Sequence, residues 1–242
     1  MKNITLTNKN LAEYKQNGFL KYEGLMTKGE VEKIRKHVDE MIAQLPPSKR
    51  PEELEMPHIN DDFLLGLCFS KEILSIVRAV IREDPILIAS HMICKRALDG
   101  LAVQWHQDVF FNKPFNAKRG VTIWLAIDES NSNNGCLRVV PGSHIDKKLL
   151  PHETSDQAQD AYQHERIDSK YIDDTKAVNI ELGVGGISLH DQYILHSSKA
   201  NKSSHRRCGY TMRFISTPDN LNPGNKNSRP LYIYRDNKIE LL

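Results

Sequence analysis

Trp105-His106-Gln107-Asp108 is the stretch on which the reading of this 242-residue chain turns. Val103 precedes it, and Phe110 and Phe111 follow, so residues 103–110 read as a strand. In an extended strand, side chains two apart share a face. His106 and Asp108 would then offer an imidazole nitrogen and a carboxylate oxygen to one metal ion. A histidine from a neighbouring strand would complete a two-His-one-carboxylate face with three positions open, a donor set that suits non-haem Fe(II).

Two further His-x-Asp triplets show that the spacing alone is weak. His37-Val38-Asp39 lies in a helical pattern, where positions i and i+2 diverge by about 200°, so a solvated pair is expected. His144-Ile145-Asp146 follows Pro141-Gly142-Ser143, where a turn or capping role is expected. Support for the central triplet comes from residues 185–207. Residues 185–190 read as a strand, Asp191-Gln192 as a turn and 193–197 as the returning strand. This makes both His190 and His196 candidate third ligands. Eleven residues after His196 stands Arg207. A guanidinium inside a barrel requires an anion, and a dicarboxylate bound to the metal at one end would present its far carboxylate for that contact. On the surface, Arg206 and Arg207 would instead join Lys199 and Lys202 in a solvated basic turn.

Outward from this centre, the chain changes character near residue 85. Before it, helical patterns dominate. Leu11 and Tyr14 begin one helix that Gly18 stops, with extended chain after it. Thr27 and Glu30 form a capping box ahead of Val31, Ile34, Val38, Met41, Ile42 and Leu45, and Pro46-Pro47 ends that helix. Residues 48–62 read as irregular. Ser70 caps a further helix through Ile81, closed by Asp84-Pro85. After residue 85, short β-branched and aromatic segments recur at 86–95, 103–110, 121–127, 137–140, 177–182, 186–190, 193–197, 209–216 and 231–234, separated by turn residues. Such a series predicts an antiparallel jelly roll or barrel. The polar stretch 146–176 reads as a long inserted loop. The organisation expected is a single domain over 1–242, with a mainly helical flank (1–85) and a β core (86–235).

Composition adds limits. Lys and Arg number 33 against 31 Asp and Glu, leaving a formal charge of +2 that gives no drive toward nucleic acid or an anionic membrane. No apolar run reaches the roughly 18 residues of a membrane span, and the N-terminus lacks a signal-type core. Cys68, Cys94, Cys136 and Cys208 are widely spaced, without a CxxC pair, and read as reduced thiols of a cytoplasmic protein.

Taken in order, several motifs resemble the phytanoyl-CoA dioxygenase family of Fe(II)/2-oxoglutarate oxygenases. They are Tyr14-Lys-Gln-Asn-Gly-Phe-Leu, Trp105-His106-Gln107-Asp108, Trp124-Leu-Ala-Ile-Asp128, Asn134-Gly135-Cys136-Leu137, Pro141-Gly142-Ser143-His144, Leu195-His196-Ser197-Ser198, Asn201 and Arg207. The resemblance implies a double-stranded β-helix (cupin-like jelly-roll) core with flanking helices, and His196 as third metal ligand beside His106 and Asp108. It makes Arg207 the anchor for the distal carboxylate of 2-oxoglutarate, with Ser198 and Trp124 lining that pocket. His91 and Lys95 fall near further pocket positions, His91 departing from the usual residue there. His190 becomes an interior neighbour, or else a substrate contact, and Gln107 takes a structural role.

The implied reaction is hydroxylation of an aliphatic C–H of a small metabolite, coupled to decarboxylation of 2-oxoglutarate to succinate and CO₂. Fe(II), 2-oxoglutarate and O₂ are its cofactor and co-substrates, and ascorbate assists in vitro. Related halogenases carry Ala or Gly where this chain has Asp108. Phe110, Phe111, Lys113, Phe115 and the 146–176 loop could line an outer pocket. The protein would act as a monomer or homodimer. The rival reading is a cupin-like metal protein that binds or isomerises a ligand without 2-oxoglutarate.

Overall fold

The computed structural model describes residues 1–2, 4–112, 115–154, 165–218 and 230–242. Its helices are α1 (Asn8–Asn17), α2 (Lys28–Ala43), α3 (Asp62–Cys68), α4 (Lys71–Ile81) and the single turn α5 (Asp108–Asn112). The strands are β1 (Phe19–Tyr22), β2 (Ile86–Lys95), β3 (Val103–His106), β4 (Gly120–Ala126), β5 (Leu137–Val139), β6 (His152–Thr154), β7 (Glu165–Ile167), β8 (Val178–Ile180), β9 (Ile187–Asp191), β10 (His196–Ser198), β11 (Arg207–Ile215), β12 (Tyr232–Arg235) and β13 (Lys238–Leu241). Antiparallel pairing builds a seven-stranded sheet in the order β1-β9-β4-β11-β2-β12-β13 and a four-stranded sheet in the order β3-β10-β5-β8. The result is the jelly roll with flanking helices that the strand series predicts.

The large sheet is sided by the two-residue period of its strands. Val121, Ile123 and Leu125 of β4, Ile187 and Leu189 of β9, and Cys208, Tyr210, Met212 and Phe214 of β11 join the apolar faces of α2, α3 and α4 in one core. The alternate residues face the small sheet. There Trp124 and Ala126 pack with Leu137, Val139, Ile180, Leu182 and Ile194. A register shift sets Arg213 opposite Ala89 but Phe214 opposite Leu87, an irregularity that places the extra residue, Ile88, on β2. The extra residue reverses the parity of β2, so Leu87 joins the helical core while Ile86 and Ile88 pack with Ile215 and Ile233.

Several local expectations hold. Thr27 and Glu30 form a reciprocal capping box, and Gly18 ends α1 in the left-handed region at φ 82°. A Cβ on Gly18 would lie 2.5 Å from the His144 ring, whose Nε2 meets the Lys15 carbonyl, so His144 fastens α1 to the 140–144 turn. Other details differ. The helix α3, the strand β13 and the antiparallel pair β6 and β7 within the polar stretch were not expected. His37 is not a solvated partner of Asp39, because it pairs with Asp61 at 2.6 Å. β9 and β10 are not a hairpin, since the chain crosses from the large sheet to the small one between them. Lys113 lies outside the described residues. No helix of the described residues is long and apolar enough to cross a membrane.

Candidate metal centre

Two facing sheets bring three donors together. His106 ends β3 and His196 begins β10, and these two residues are direct cross-strand partners. Their ring centroids are 4.0 Å apart. Asp108 supplies the carboxylate, with its Oδ1 3.8 Å from His106 Nε2 and 3.7 Å from His196 Nε2. Ligand atoms of all three lie within 4.8 Å of one another, and all three residues are buried.

Asp108 reaches this point by a route other than the one its spacing suggests. The strand stops at His106, and Asp108 opens α5. Gln107 makes the bend. Its side-chain amide donates to the carbonyls of Lys148 (3.0 Å) and Tyr193 (2.6 Å) and accepts from the Leu150 N–H (2.9 Å), while its backbone N–H meets His152 Nε2 at 3.2 Å. The carboxylate thereby turns toward the large sheet. There one cross-strand row, His190–Thr122–Arg213, receives it. Thr122 Oγ1 donates to Oδ2 at 2.5 Å, Arg213 Nη2 lies 2.5 Å from Oδ1, and His190 Nε2 stands 3.4 Å from Oδ2.

The protonation pattern suits metal binding. His106 Nδ1 bonds the Gln104 carbonyl at 2.7 Å and His196 Nδ1 bonds the Ile194 carbonyl at 3.0 Å. A ring that donates from Nδ1 keeps its lone pair on Nε2, the atom facing Asp108. Burial pushes the His106 imidazole down to about 4 and holds His196 well below its ordinary value. Burial also opposes ionisation of Asp108, but Arg213, His196 and His190 outweigh it and keep the carboxyl well below the usual range. Two neutral imidazoles and a carboxylate are the resulting donors.

These residues open into a cavity between the two sheets. Trp124, Ser198, His91 and Arg207 line it with the three donors. Arg207 is 1% exposed. Its Nη1 donates to the Ile93 carbonyl and its Nη2 to that of Gly135, its Nε–H finds no acceptor, and its guanidinium lies 5.4 Å from the Trp124 ring centre. Among the described residues no carboxylate pairs with it, and burial lowers its pKa to about 10. The next inward position on β11 is Gly209, where a Cβ would lie 2.0 Å from Trp124 Cζ2, so the indole occupies the space a side chain would fill.

Lys95 is the cross-strand partner of Arg207 and is also buried, but its Nζ turns to the carbonyls of Ser198 and Lys199 and does not line the cavity. His91 bonds the Glu52 carbonyl through Nε2. The sequence reading overlooked Thr122 and the position of Arg213 on Asp108. The signal was present, because Arg207, Gly209, Thr211 and Arg213 share one parity on β11.

The family model described as phytanoyl-CoA dioxygenase (PhyH) matches residues 14–209. A phytanoyl-CoA dioxygenase domain-containing protein 1 homolog of Caenorhabditis elegans is 29% identical over 164 residues, 65% of this chain and 56% of that protein. This chain thus spans little more than half the length of that relative. A probable alpha-ketoglutarate-dependent hypophosphite dioxygenase of Stutzerimonas stutzeri is 27% identical over 213 residues, covering 81% of this chain and 73% of its own. Among solved structures, EvdO2 of Micromonospora carbonacea var. aurantiaca, complexed with 2-oxoglutarate, superposes with a TM-score of 0.73 at 23% identity, covering 95% of this chain and 97% of that one. EctD of S. alaskensis gives 0.74 at 16% identity, with 95% and 84% covered. On the extent of the family match, the chain belongs to the phytanoyl-CoA dioxygenase family.

Proposed function

We propose that this protein is an Fe(II)/2-oxoglutarate-dependent oxygenase that hydroxylates an aliphatic C–H of a small metabolite. One observation carries the reading: a buried His-Asp-His donor set shares a cavity with a buried guanidinium that has no carboxylate partner among the described residues. The donor set fits iron(II), and Arg207 fits the far end of a dicarboxylate. The rival, a cupin-like metal protein that binds or isomerises a ligand without 2-oxoglutarate, would release no succinate on O₂ uptake.

When bound, iron(II), 2-oxoglutarate and O₂ supply the oxidising power, one oxygen atom passing to the substrate C–H and the other to succinate as CO₂ leaves. The chain's own contribution is positioning. His106 and His196 present Nε2 lone pairs because their Nδ1 atoms are committed to backbone carbonyls. Thr122 and Arg213 fix the Asp108 carboxylate. Arg207 and Ser198 hold the distal carboxylate, and Trp124 walls it against the sheet. Four free, buried cysteines accord with a reducing, cytoplasmic setting.

Anaerobic addition of Fe(II) and 2-oxoglutarate should produce the weak visible charge-transfer band of the chelate, and calorimetry should register 2-oxoglutarate binding. Absence of both would overturn the proposal.

A further inference from the structure

We propose that Arg213 anchors an oxyanion of the primary substrate, a carboxylate or phosphonate, beside the metal donors. The inference rests on the oxygenase reading and adds a substrate class to it.

Three observations carry it. The first is placement. Arg213 lies on the cavity face of β11, three inward positions beyond Arg207, and lines the same cavity. The Arg207 side is sealed at 1% exposure, whereas the Arg213 side chain is 20% exposed, so it stands nearer the solvent from which a substrate enters.

The second is unused hydrogen-bonding capacity. A guanidinium has five N–H donors. Among the described residues only Asp108 accepts from this one, and its Nε–H is buried without an acceptor. The oxygen it touches, Oδ1, is also the one facing His106 and His196. A metal held by those three residues through that oxygen would weaken the one ion pair Arg213 makes among the described residues.

The third is the charge of the cavity. Its described lining carries two guanidiniums, Arg207 and Arg213, and one carboxylate, Asp108. Counting the guanidiniums and the carboxylate alone, one positive charge remains. A divalent metal raises the surplus to three and a dicarboxylate lowers it to one. A partly buried surplus charge is expensive in low dielectric, and an anionic substrate group is what removes it. Among the described residues Arg213 keeps donors without an acceptor on a side chain that is 20% exposed, and Arg207 is taken by the co-substrate.

The test uses the full chain loaded anaerobically with Zn(II), with and without saturating 2-oxoglutarate. Calorimetry then follows titration with hexanoate, hexylphosphonate, hexan-1-ol and hexyltrimethylammonium. The wild type should bind at least one of the two anions tenfold or more tighter than the alcohol or the cation, and the tighter of the two identifies the oxyanion. Arg213→Met should bring anion binding down to the level of the alcohol, and Arg213→Lys should keep part of the preference. Equal binding of anion and alcohol by the wild type would overturn the proposal. So would an anion preference that survives in Arg213→Met, even if that variant binds Zn(II) more weakly, since Arg213 would then only steady Asp108. Should Arg213→Met fail to fold by circular dichroism, Arg213→Gln replaces it with the same criteria. Failure of the wild type to bind 2-oxoglutarate strikes the oxygenase reading instead, and the titration without 2-oxoglutarate still decides the anion preference.

Discussion

At one end of the cavity Arg207 rises from β11, a nine-residue strand paired on both sides within the large sheet. At the other end His106 and His196 sit on strands of four and three residues, and Asp108 opens a single helical turn. The anion end is thus fixed by the period of a long buried strand. The metal end is assembled from element termini, and side chains such as Gln107 and His152 tie it to the 148–152 segment. A strand interior sets direction without help, whereas a terminus has to be held.

The sharpest way to break this contrast is Asp108→Ala. Turnover should fall below detection in a succinate-release assay while circular dichroism stays native, because the donor set loses its carboxylate while the backbone pairing of β4 and β11 remains; Arg213, left without that partner, should lower Tm. Full activity in that variant would exclude the assignment. Next comes Arg207→Ala, which should raise the 2-oxoglutarate KM by roughly ten- to a hundredfold, the equivalent of a lost charge-assisted pair worth about 1.5–3 kcal/mol. Steady-state kinetics should show kcat changing far less. An unchanged KM would exclude Arg207 as the anchor.

A smaller effect is expected from Gln107→Ala, which should weaken metal binding by about tenfold, in line with other groups that orient metal ligands. Competition with a chelating dye would measure it. An unaltered affinity would mean that the metal end is as self-supporting as the anion end. The gentlest probe is pH. His106 titrates at about 4 in the fold against an ordinary 6.5, with burial as the main cause. Between those values the unfolded chain takes up a proton that the folded chain refuses. The stability of metal-free protein should therefore fall as pH drops from 6.5 toward 4, as read by Tm, while metal affinity stays nearly flat above about pH 5.

Much of the molecule was legible in its sequence, and the reasons are physical. A nearly unbroken apolar run placed β2, with the bounds Ile86–Lys95 read correctly, because a strand buried on both faces leaves a continuous signal. The Thr27–Glu30 pair marked its helix because capping is a local interaction. The bend at Gln107 was not legible. It depends on partners 41, 43 and 86 residues away, and nothing within 103–110 announces that the strand ends at His106. The hairpin-like reading of 186–197 failed for a related reason: a turn of two polar residues looks alike whether the chain returns to its own sheet or crosses to the facing one. Arg213 was hidden differently. Its parity was readable, but its meeting with Asp108 required the position of a helical turn that the sequence did not reveal.

One feature of β11 reaches beyond the residues it carries. Because Arg207 and Arg213 point inward only by virtue of an even separation, deleting or inserting a single residue between them would rotate one of them into the helical core and bring Cys208, Tyr210 or Met212 to face the ligand. Gly209 apart, side chains along this strand can be exchanged one at a time, but its count cannot. Divergence of substrate range on this scaffold should therefore proceed by replacement at fixed positions, with changes of length confined to the connections outside the sheet.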